Sequence, residues 1–457
     1  MDGPISEQEI SMVLNTYMYV DYDDANDGQT LREIVEEMPL HTDVNGTYAP
    51  QYSILKEAVK NPETGDLIIG CQSGNMGYNE GTNAVTFSSS DGSRVYVVYR
   101  GTYDGEWMDN GEGLSKARTE QQMEAVDYFE TVVNRMGLDG DERLVVSGHS
   151  KGANKAQFVT MESRYSDRID RCYSIDGQGQ SKKAVKSWKD RLGSEEYVKR
   201  TGKLYGINGE NDYVSVLGCS IIPAAHVLYV KTGTAKADFA GYHDITRMFA
   251  TVGHEAGKTV ITYNGRKNPY VFKRGPVGDF IGGVSDEVMN LPEDALKGCA
   301  SGAMQIPEVA FGGIKTGLNG QKASLSDLKH LGKDGVGVII GRMYNTKAGK
   351  KFYSMTQDGG YYGHSFSDAD SIYVDYGKLG KKSDELKKIA KDLEDASHTL
   401  ESSAYELSFY LDNVLIKEER IKLYLGGLAT GSKSLLKTAD LLEEVVNACS
   451  AYDAGLD

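Results

Sequence analysis

The stretch RLVVSGHSKGANKAQFVTM, from Arg143 to Met161, limits what this chain can fold into more than any other. Leu144, Val145 and Val146 form a short apolar run of the kind that makes a buried strand. The run rich in Ala, Lys and Gln that follows propagates as a helix. Between them stands Gly148-His149-Ser150-Lys151-Gly152, a G-x-S-x-G pattern. A strand that turns straight into a helix crowds its own backbone, so small residues are needed two before and two after the serine. The turn lifts the Ser150 hydroxyl above the sheet edge and presents N–H groups at the helix start to an oxyanion. The competing reading is a glycine-flanked serine in an ordinary loop; a strand before and a helix after argue against it.

The surrounding pattern agrees. Residues 1–65 read as short helices, with Ser6 and Glu9 spaced as a capping box and helical spacing over 31–38. Strands are expected at 66–71, 83–87 and 95–99, the last two joined by the polar turn SSSDGS at 88–93. A helix over 115–136, with Met123, Val126, Val133 and Met136 on its apolar face, leads to the elbow strand. Beyond the elbow come a strand at 170–175, a helix near 181–198, a strand at 202–207 and a last strand at 227–230. Strands alternating with helices from about 95 to 250 predict an α/β fold with a largely parallel sheet.

At 457 residues, 40% apolar and 25% charged, the chain reads as a soluble globular protein with more than one core. Its formal net charge of −16, and the lack of a basic cluster interleaved with aromatics, argue against nucleic acid as partner. The five cysteines, Cys71, Cys172, Cys219, Cys299 and Cys449, are scattered, which fits buried thiols and neither a metal site nor a disulfide framework. No cofactor is called for. The acidic, polar start MDGPISEQEIS is no cleaved secretory signal, and no run approaches the ~20 apolar residues of a membrane span. The expectation is a cytoplasmic protein, or one secreted without a cleaved signal peptide.

A serine hydroxyl is a weak nucleophile that needs an adjacent base, and the base needs an acid to fix its tautomer. In an α/β-hydrolase sheet these follow in the order Ser, Asp or Glu, His, each at the carboxyl end of a later strand. Asp212, just past the strand at 202–207, is the expected acid; Asp176, in Asp176-Gly177-Gln178-Gly179, is the alternative. His243, in Gly241-Tyr242-His243-Asp244, lies beyond the far end of the last strand, where the base belongs. His226 stands at the wrong end of that strand, and His254 is a further candidate. His149 is expected to be structural and to point away from the nucleophile. The Lys151 N–H is expected to give one oxyanion donor, and Thr102, after the strand at 95–99, the other.

Residues 256–375 are glycine-rich, with an amphipathic piece near 280–291 and a tyrosine-rich segment at 352–374. They read as an elaboration on the hydrolase or as a lid or acyl-binding cap. From Leu386 the pattern changes: Leu386, Ile389, Leu393, Ala396, Leu400, Ser403, Leu407, Tyr410 and Val414 alternate steps of three and four. After Leu425-Gly426-Gly427, Leu435, Leu442 and Cys449 continue a second face. The pattern predicts a helical hairpin over 376–457 whose apolar stripe packs on its own arms or on another chain.

VYVVYRGT (Val95 to Thr102), Trp107, Asp109, GHSKG, Asp176, Asp212, Ser215 and His243-Asp244 together resemble the class 3 lipase-like α/β-hydrolases, above all their Mbeg1-like branch. The likeness spans roughly residues 15–250. Ala153-Asn154 departs from it, where many such lipases carry a second glycine. The resemblance implies hydrolysis of carboxylic esters, with lipids among the substrates, as by a lipase or phospholipase A. The tail, with SIYVDYGKL leading into its first helix, is similar to the LXG and WXG100-like targeting modules of type VII secretion, although it holds no W-x-G. That likeness implies small helical secretion partners, an immunity protein and a reverse-arranged lipase toxin. The expected organisation is therefore a catalytic domain over 1–255, the elaboration over 256–375 and the helical module over 376–457. Two readings compete with a lipase: an inactive hydrolase scaffold that binds partners through its tail, and a thioesterase or peptidase built on the same three residues.

Overall fold

In the computed structural model the described residues are 5–251 apart from 23, 80, 103–105, 233, 235–237 and 239, then 259–260, 270–271, 273–312, 330–335, 338–339, 342 and 391. Four helices come first: α1 (Glu7–Tyr17), α2 (Leu31–His41), α3 (Ala49–Ala58) and the single turn α4 (Pro62–Gly65). Ser6 with Glu9 and Thr30 with Glu33 close reciprocal capping boxes, each satisfying two backbone donors that helix geometry leaves open. Strands β1 (Ile68–Gly70), β2 (Ala84–Ser88) and β3 (Arg94–Tyr99) follow and pair antiparallel in sequence. After β3 the chain alternates: α5 (Trp107–Ser115), α6 (Glu120–Met136), β4 (Arg143–His149), α7 (Lys151–Glu162), β5 (Arg171–Ile175), α8 (Lys182–Thr201), β6 (Leu204–Gly209) and β7 (Val227–Val230). β3 to β7 run parallel. β8 (Ala250–Thr251) and β9 (Thr259–Val260) make a separate two-stranded ribbon, and β10 (Tyr270–Val271) pairs antiparallel with β7. The main sheet is thus eight-stranded, in the order β1-β2-β3-β4-β5-β6-β7-β10, and the fold is α/β.

Side-chain alternation along each strand divides the core into two layers. Tyr96, Val98, Val145, Tyr173 and Ile207 face α1 to α3, where Ile10, Val13, Leu14, Ile34 and Ile54 meet them. Val95, Val97, Leu144, Val146, Cys172 and Leu204 face the other way, onto Phe129 and Val132 of α6, Phe158 and Val159 of α7 and Trp188 of α8. Each such aliphatic side chain stabilises the fold by about 1.5–3 kcal/mol when fully buried. Because β3 to β7 are parallel, their carboxyl ends share one edge. The residues after them, Thr102, Ser150, Asp176, Asp212 and His243, therefore come from five consecutive strand ends on one rim.

Several expectations need correction. The helix expected over 115–136 begins later: α6 starts at Glu120, capped by Thr119 through a box with Gln122, and Ser115 instead ends a separate helix, α5, that the sequence pattern did not announce. Met123 and Met136 lie on the exposed side of α6, whose buried face is Ala125, Val126, Tyr128, Phe129, Val132 and Val133. β7 is not the last strand of the sheet, since β10 extends it. The cysteine reading needs little change: among the described residues Cys71, Cys172 and Cys299 are buried free thiols, and Cys219 is a free thiol only half-buried.

Two more helices, α9 (Pro276–Val288) and α10 (Glu293–Gly312), pack on the rim. The Gly275 N–H donates to Glu210 O (2.6 Å), and the Val277 N–H to Asn211 Oδ1 (3.1 Å). Ser285 Oγ accepts from the Gly218 N–H at 3.0 Å, so α9 is tied to the loop that carries Asp212. α10 lies against α5 so closely that a Cβ on Gly111 would come 3.0 Å from the Ala300 carbonyl oxygen. Among the described residues no helix is long and apolar enough to cross a membrane. His254, the tyrosine-rich segment and the helical seam of the tail (Lys391 apart) lie outside the described residues.

Candidate active site

β4 enters the site from the core with every residue from Leu144 to His149 buried, then reverses at Ser150. Ser150 has φ 59° and ψ −124°, a conformation that a side chain makes costly and that the packing around it must hold. Both flanking glycines are dictated by contact. A Cβ on Gly148 would lie closer than 3.0 Å to the carbonyl carbon and oxygen of Gly152, and one on Gly152 equally close to the Tyr99 carbonyl oxygen. The G-x-S-x-G spacing is thus the steric signature of β4, α7 and the end of β3 in close contact.

Ser150 Oγ lies 2.8 Å from His243 Nε2, and His243 Nδ1 lies 2.7 Å from Asp212 Oδ1. The other carboxylate oxygen of Asp212 accepts from the Ser215 N–H at 2.5 Å. Asp212 is buried, whereas the His243 side chain keeps 17% of its exposure. With Nδ1–H donating to the carboxylate, Nε2 is left to accept from the serine hydroxyl, the tautomer a general base needs. His243 ends a short 3₁₀ turn (Ala240–His243), and Asp244 caps the next turn through the Thr246 N–H. The three residues that strand order singled out are therefore hydrogen-bonded in series, although they lie far apart in the chain.

The two oxyanion candidates sit on either side of Ser150. Lys151 is the first residue of α7, where helix geometry offers its N–H no intrahelical acceptor. Its side chain runs inward instead: Nζ meets Asp109 Oδ2 at 2.6 Å and Asp109 O at 3.1 Å, with no exposure of the lysine side chain. Thr102 Oγ1 accepts from Asn110 Nδ2 at 2.8 Å, which leaves its own proton to donate elsewhere. Asp109 and Asn110, both on α5, thus hold the two sides of the site at once.

Asn154, on α7, is the hub of a buried amide network. Its Oδ1 accepts from Gln122 Nε2 (2.7 Å), its Nδ2 donates to Gly179 O (2.9 Å), and its backbone oxygen accepts from Gln180 Nε2 (3.0 Å). These bonds make fixed polar links between α7, α6 and the loop after β5. Lys155, one residue on, is fully buried with Nζ donating to Gly81 O, and burial pulls its pKa down.

His149 departs from expectation. Its ring does not turn away from the site but stacks on His243, with centroids 4.7 Å apart and planes 28° apart. Tyr213 closes on His243 from another direction at 5.6 Å. Tyr19 Oη bonds His149 Nδ1 at 2.6 Å. On its other side His149 Nε2 lies 3.9 Å from Asp176 Oδ2, and neither atom has a hydrogen-bond partner. Burial, reinforced by the neighbouring His243, holds the His149 pKa well below its ordinary value, so the ring is neutral. Asp176 is shifted the other way: burial, the Asp212 charge and the Asp244 charge raise it well above the carboxylate range, while its bond from the Gly209 N–H opposes them. Tyr19 gave no signal in the sequence, because it reaches the site only by the packing of the segment after α1.

His226 lies at the opposite end of β7, stacked on Tyr205 (4.4 Å) with Nδ1 against Leu204 O, so it is structural. His149, Asp176 and His243 each bring a nitrogen or oxygen within 4.8 Å of the others. Both nitrogens of His243 are already bonded, so a cation there would have to take the ring from Ser150 or from Asp212.

Comparison with known proteins reaches part of the chain. No curated protein matches the chain. Residues 72–234, which include Thr102, Ser150, Asp176 and Asp212 and stop short of His243, match the model of the family described as Mbeg1-like, a class 3 lipase-like family to which this part of the chain is similar.

Proposed function

We propose that the chain is a serine hydrolase of carboxylic esters, with lipids as its substrate class. The observation that carries this reading is the series Asp212–His243–Ser150, set on a positive-φ serine between two sterically required glycines. Ser150 Oγ attacks the ester carbonyl while His243 Nε2 takes its proton. Asp212, bonded to Nδ1, holds the ring and stabilises the imidazolium. The Lys151 N–H and the Thr102 hydroxyl meet the oxyanion, and stabilisation of this kind is worth about 3–4 kcal/mol per donor. Collapse of the tetrahedral intermediate breaks the ester C–O bond, and His243 returns its proton to the leaving alkoxide. Water, activated by the same imidazole, then releases the acid and restores Ser150.

The lipid assignment follows from the likeness of residues 72–234 to a lipase-like family. The division into 1–255, 256–375 and 376–457, and a type VII-secreted role for the last part with helical partners and an immunity protein, rest on the sequence seam and the LXG likeness. Mass spectrometry of products from mixed phospholipids and glycerides, with wild type and Ser150→Ala, tests the central reading. Free fatty acid should appear with the wild type and vanish with the variant, and a fluorophosphonate should label Ser150 alone. Equal product from both proteins defeats the proposal. Capture of small helical proteins by the full chain, lost when the Leu386 to Val414 seam is replaced by polar residues, tests the tail.

A further inference from the structure

The rim carries a second carboxyl that the mechanism above does not use. Asp176 follows β5 as Asp212 follows β6, on adjacent parallel strands. One of its oxygens lies within 4.8 Å of a His243 ring nitrogen. Oδ1 accepts from the Gly209 N–H at 2.7 Å, which pins the carboxyl, while Oδ2 is buried and has no partner. Its backbone is strained as well, with φ 43°, so the position is kept at a cost. The acid is thus held by one oxygen, with the other unbonded 3.9 Å from His149 Nε2, in the same cluster as the base.

We propose that Asp176 is a reserve acid for His243: a positioning residue that backs Asp212 and takes over the imidazolium when Asp212 carries no charge. The proposal rests on the Ser150–His243 reading of the site. Six titratable groups face Asp176: Asp212 and Tyr213 from the loop after β6, Asp244 from the 3₁₀ turns, His149 from β4, Tyr19 from the segment after α1, and His243 itself. Burial disfavours the charged form of Asp176, and with Asp212 ionised the repulsion between like charges adds to it. Removing the Asp212 charge lifts that repulsion, so Asp176 ionises at lower pH than before and supplies the negative charge His243 then lacks. No bond to substrate changes; the proton that Asp176 gives up goes to solvent, and His243 accepts from Ser150 as before.

The test is a double-mutant cycle in the full chain, following kcat/KM for a soluble nitrophenyl ester against pH. The variants are Asp212→Asn, Asp176→Asn and the pair, with rates normalised to fluorophosphonate-titrated Ser150 so that misfolded protein drops out. Asparagine keeps the acceptor for the Gly209 N–H and tolerates positive φ, so the fold is preserved. Asp176→Asn should lower kcat/KM at least about tenfold more in the Asp212→Asn background than in the wild type. Asp212→Asn alone should lose about 10²-fold, against the ~10⁴-fold typical of a sole acid. It should also show an activity limb that rises with pH and is absent from the double variant. Equal penalties in both backgrounds, or the same pH profile with and without Asp176, overturn the proposal. Wild-type turnover by Ser150→Ala would instead sink the hydrolase reading, and that outcome does not depend on Asp176.

Discussion

The rings of His149 and His243 stack at 4.7 Å, and the residue beside the nucleophile thereby becomes a floor for the base. Tyr19 holds that floor through its 2.6 Å bond to His149 Nδ1. Tyr19→Phe removes the hydroxyl and leaves a buried nitrogen without its partner, which costs about 1–3 kcal/mol of stability. If the floor also aligns His243, kcat for ester hydrolysis should fall about fivefold with KM little changed. Steady-state kinetics beside a thermal melt checks this; a lowered melting temperature with unchanged kcat would confine Tyr19 to the fold.

His149 and Asp176 leave opposite marks on stability against pH. The folded His149 pKa is depressed, so the unfolded chain binds the extra proton, and stability is lost as pH falls below about 6.5. The folded Asp176 pKa is raised, so the folded chain holds the extra proton above about pH 3.9, and stability is lost as pH rises toward the folded value. Asp176→Asn should therefore raise the melting temperature at pH 8 and leave it nearly unchanged at pH 4. His149→Gln should flatten the decline on the acid side. Melting curves from pH 4 to pH 8 decide both, and an Asp176→Asn protein less stable than wild type at pH 8 would contradict the first.

The elbow glycines can be separated from glycines in general. A Cβ on Gly148 or Gly152 would meet backbone closer than 3.0 Å, where nothing flexible can give way. Gly148→Ala or Gly152→Ala should each destabilise the chain by about 3 kcal/mol or more. Gly70, on β1, has nothing within 4 Å of the same position, so Gly70→Ala should stay within about 0.5 kcal/mol of wild type. Urea denaturation of the three variants makes the comparison.

What could be read from the sequence was whatever local pattern encodes. GHSKG announces its turn because the steric demand lies within five residues, and the strands at 95–99 and 170–175 announce themselves by β-branched and aromatic runs. Chain order then indicated which strand ends would carry Asp212 and His243. The floor under His243 was not legible: Tyr19 and His149 meet across 130 positions, and no periodicity encodes that contact. α5 was missed because WMDNGEGLS has two glycines and no clear apolar stripe; it is fixed by Lys151 and by α10 rather than by propensity. On α6 the helix was foreseen but its inward face was misjudged, because Tyr128 and Phe129 outweigh the methionines in deciding which side is buried.

The ion pair between Lys151 and Asp109 makes the sharpest test of how the site is held. Both side chains are buried, Nζ to Oδ2 is 2.6 Å, and Asp109 Oδ2 also accepts from Thr119 Oγ1 at 3.0 Å. The pair joins the first residue of α7, beside Ser150, to α5, whose Asn110 holds Thr102. Breaking it from one side strands a charge in the core, so Lys151→Met or Asp109→Leu should each cost about 3–5 kcal/mol. The double variant leaves no charge behind and should recover most of that loss, because two apolar side chains of similar volume fill the same space. Activity should not recover with it. The double variant lacks the Lys151–Asp109 bonds that tie α5 to α7, so Thr102 and the Lys151 position should lose their fixed separation and kcat should stay depressed about tenfold or more, with KM nearly unchanged. Chemical denaturation and steady-state kinetics on the four proteins of the cycle give both readouts. Full recovery of kcat along with stability would show that the pair serves the core alone, and that the oxyanion side of the site is held by something else.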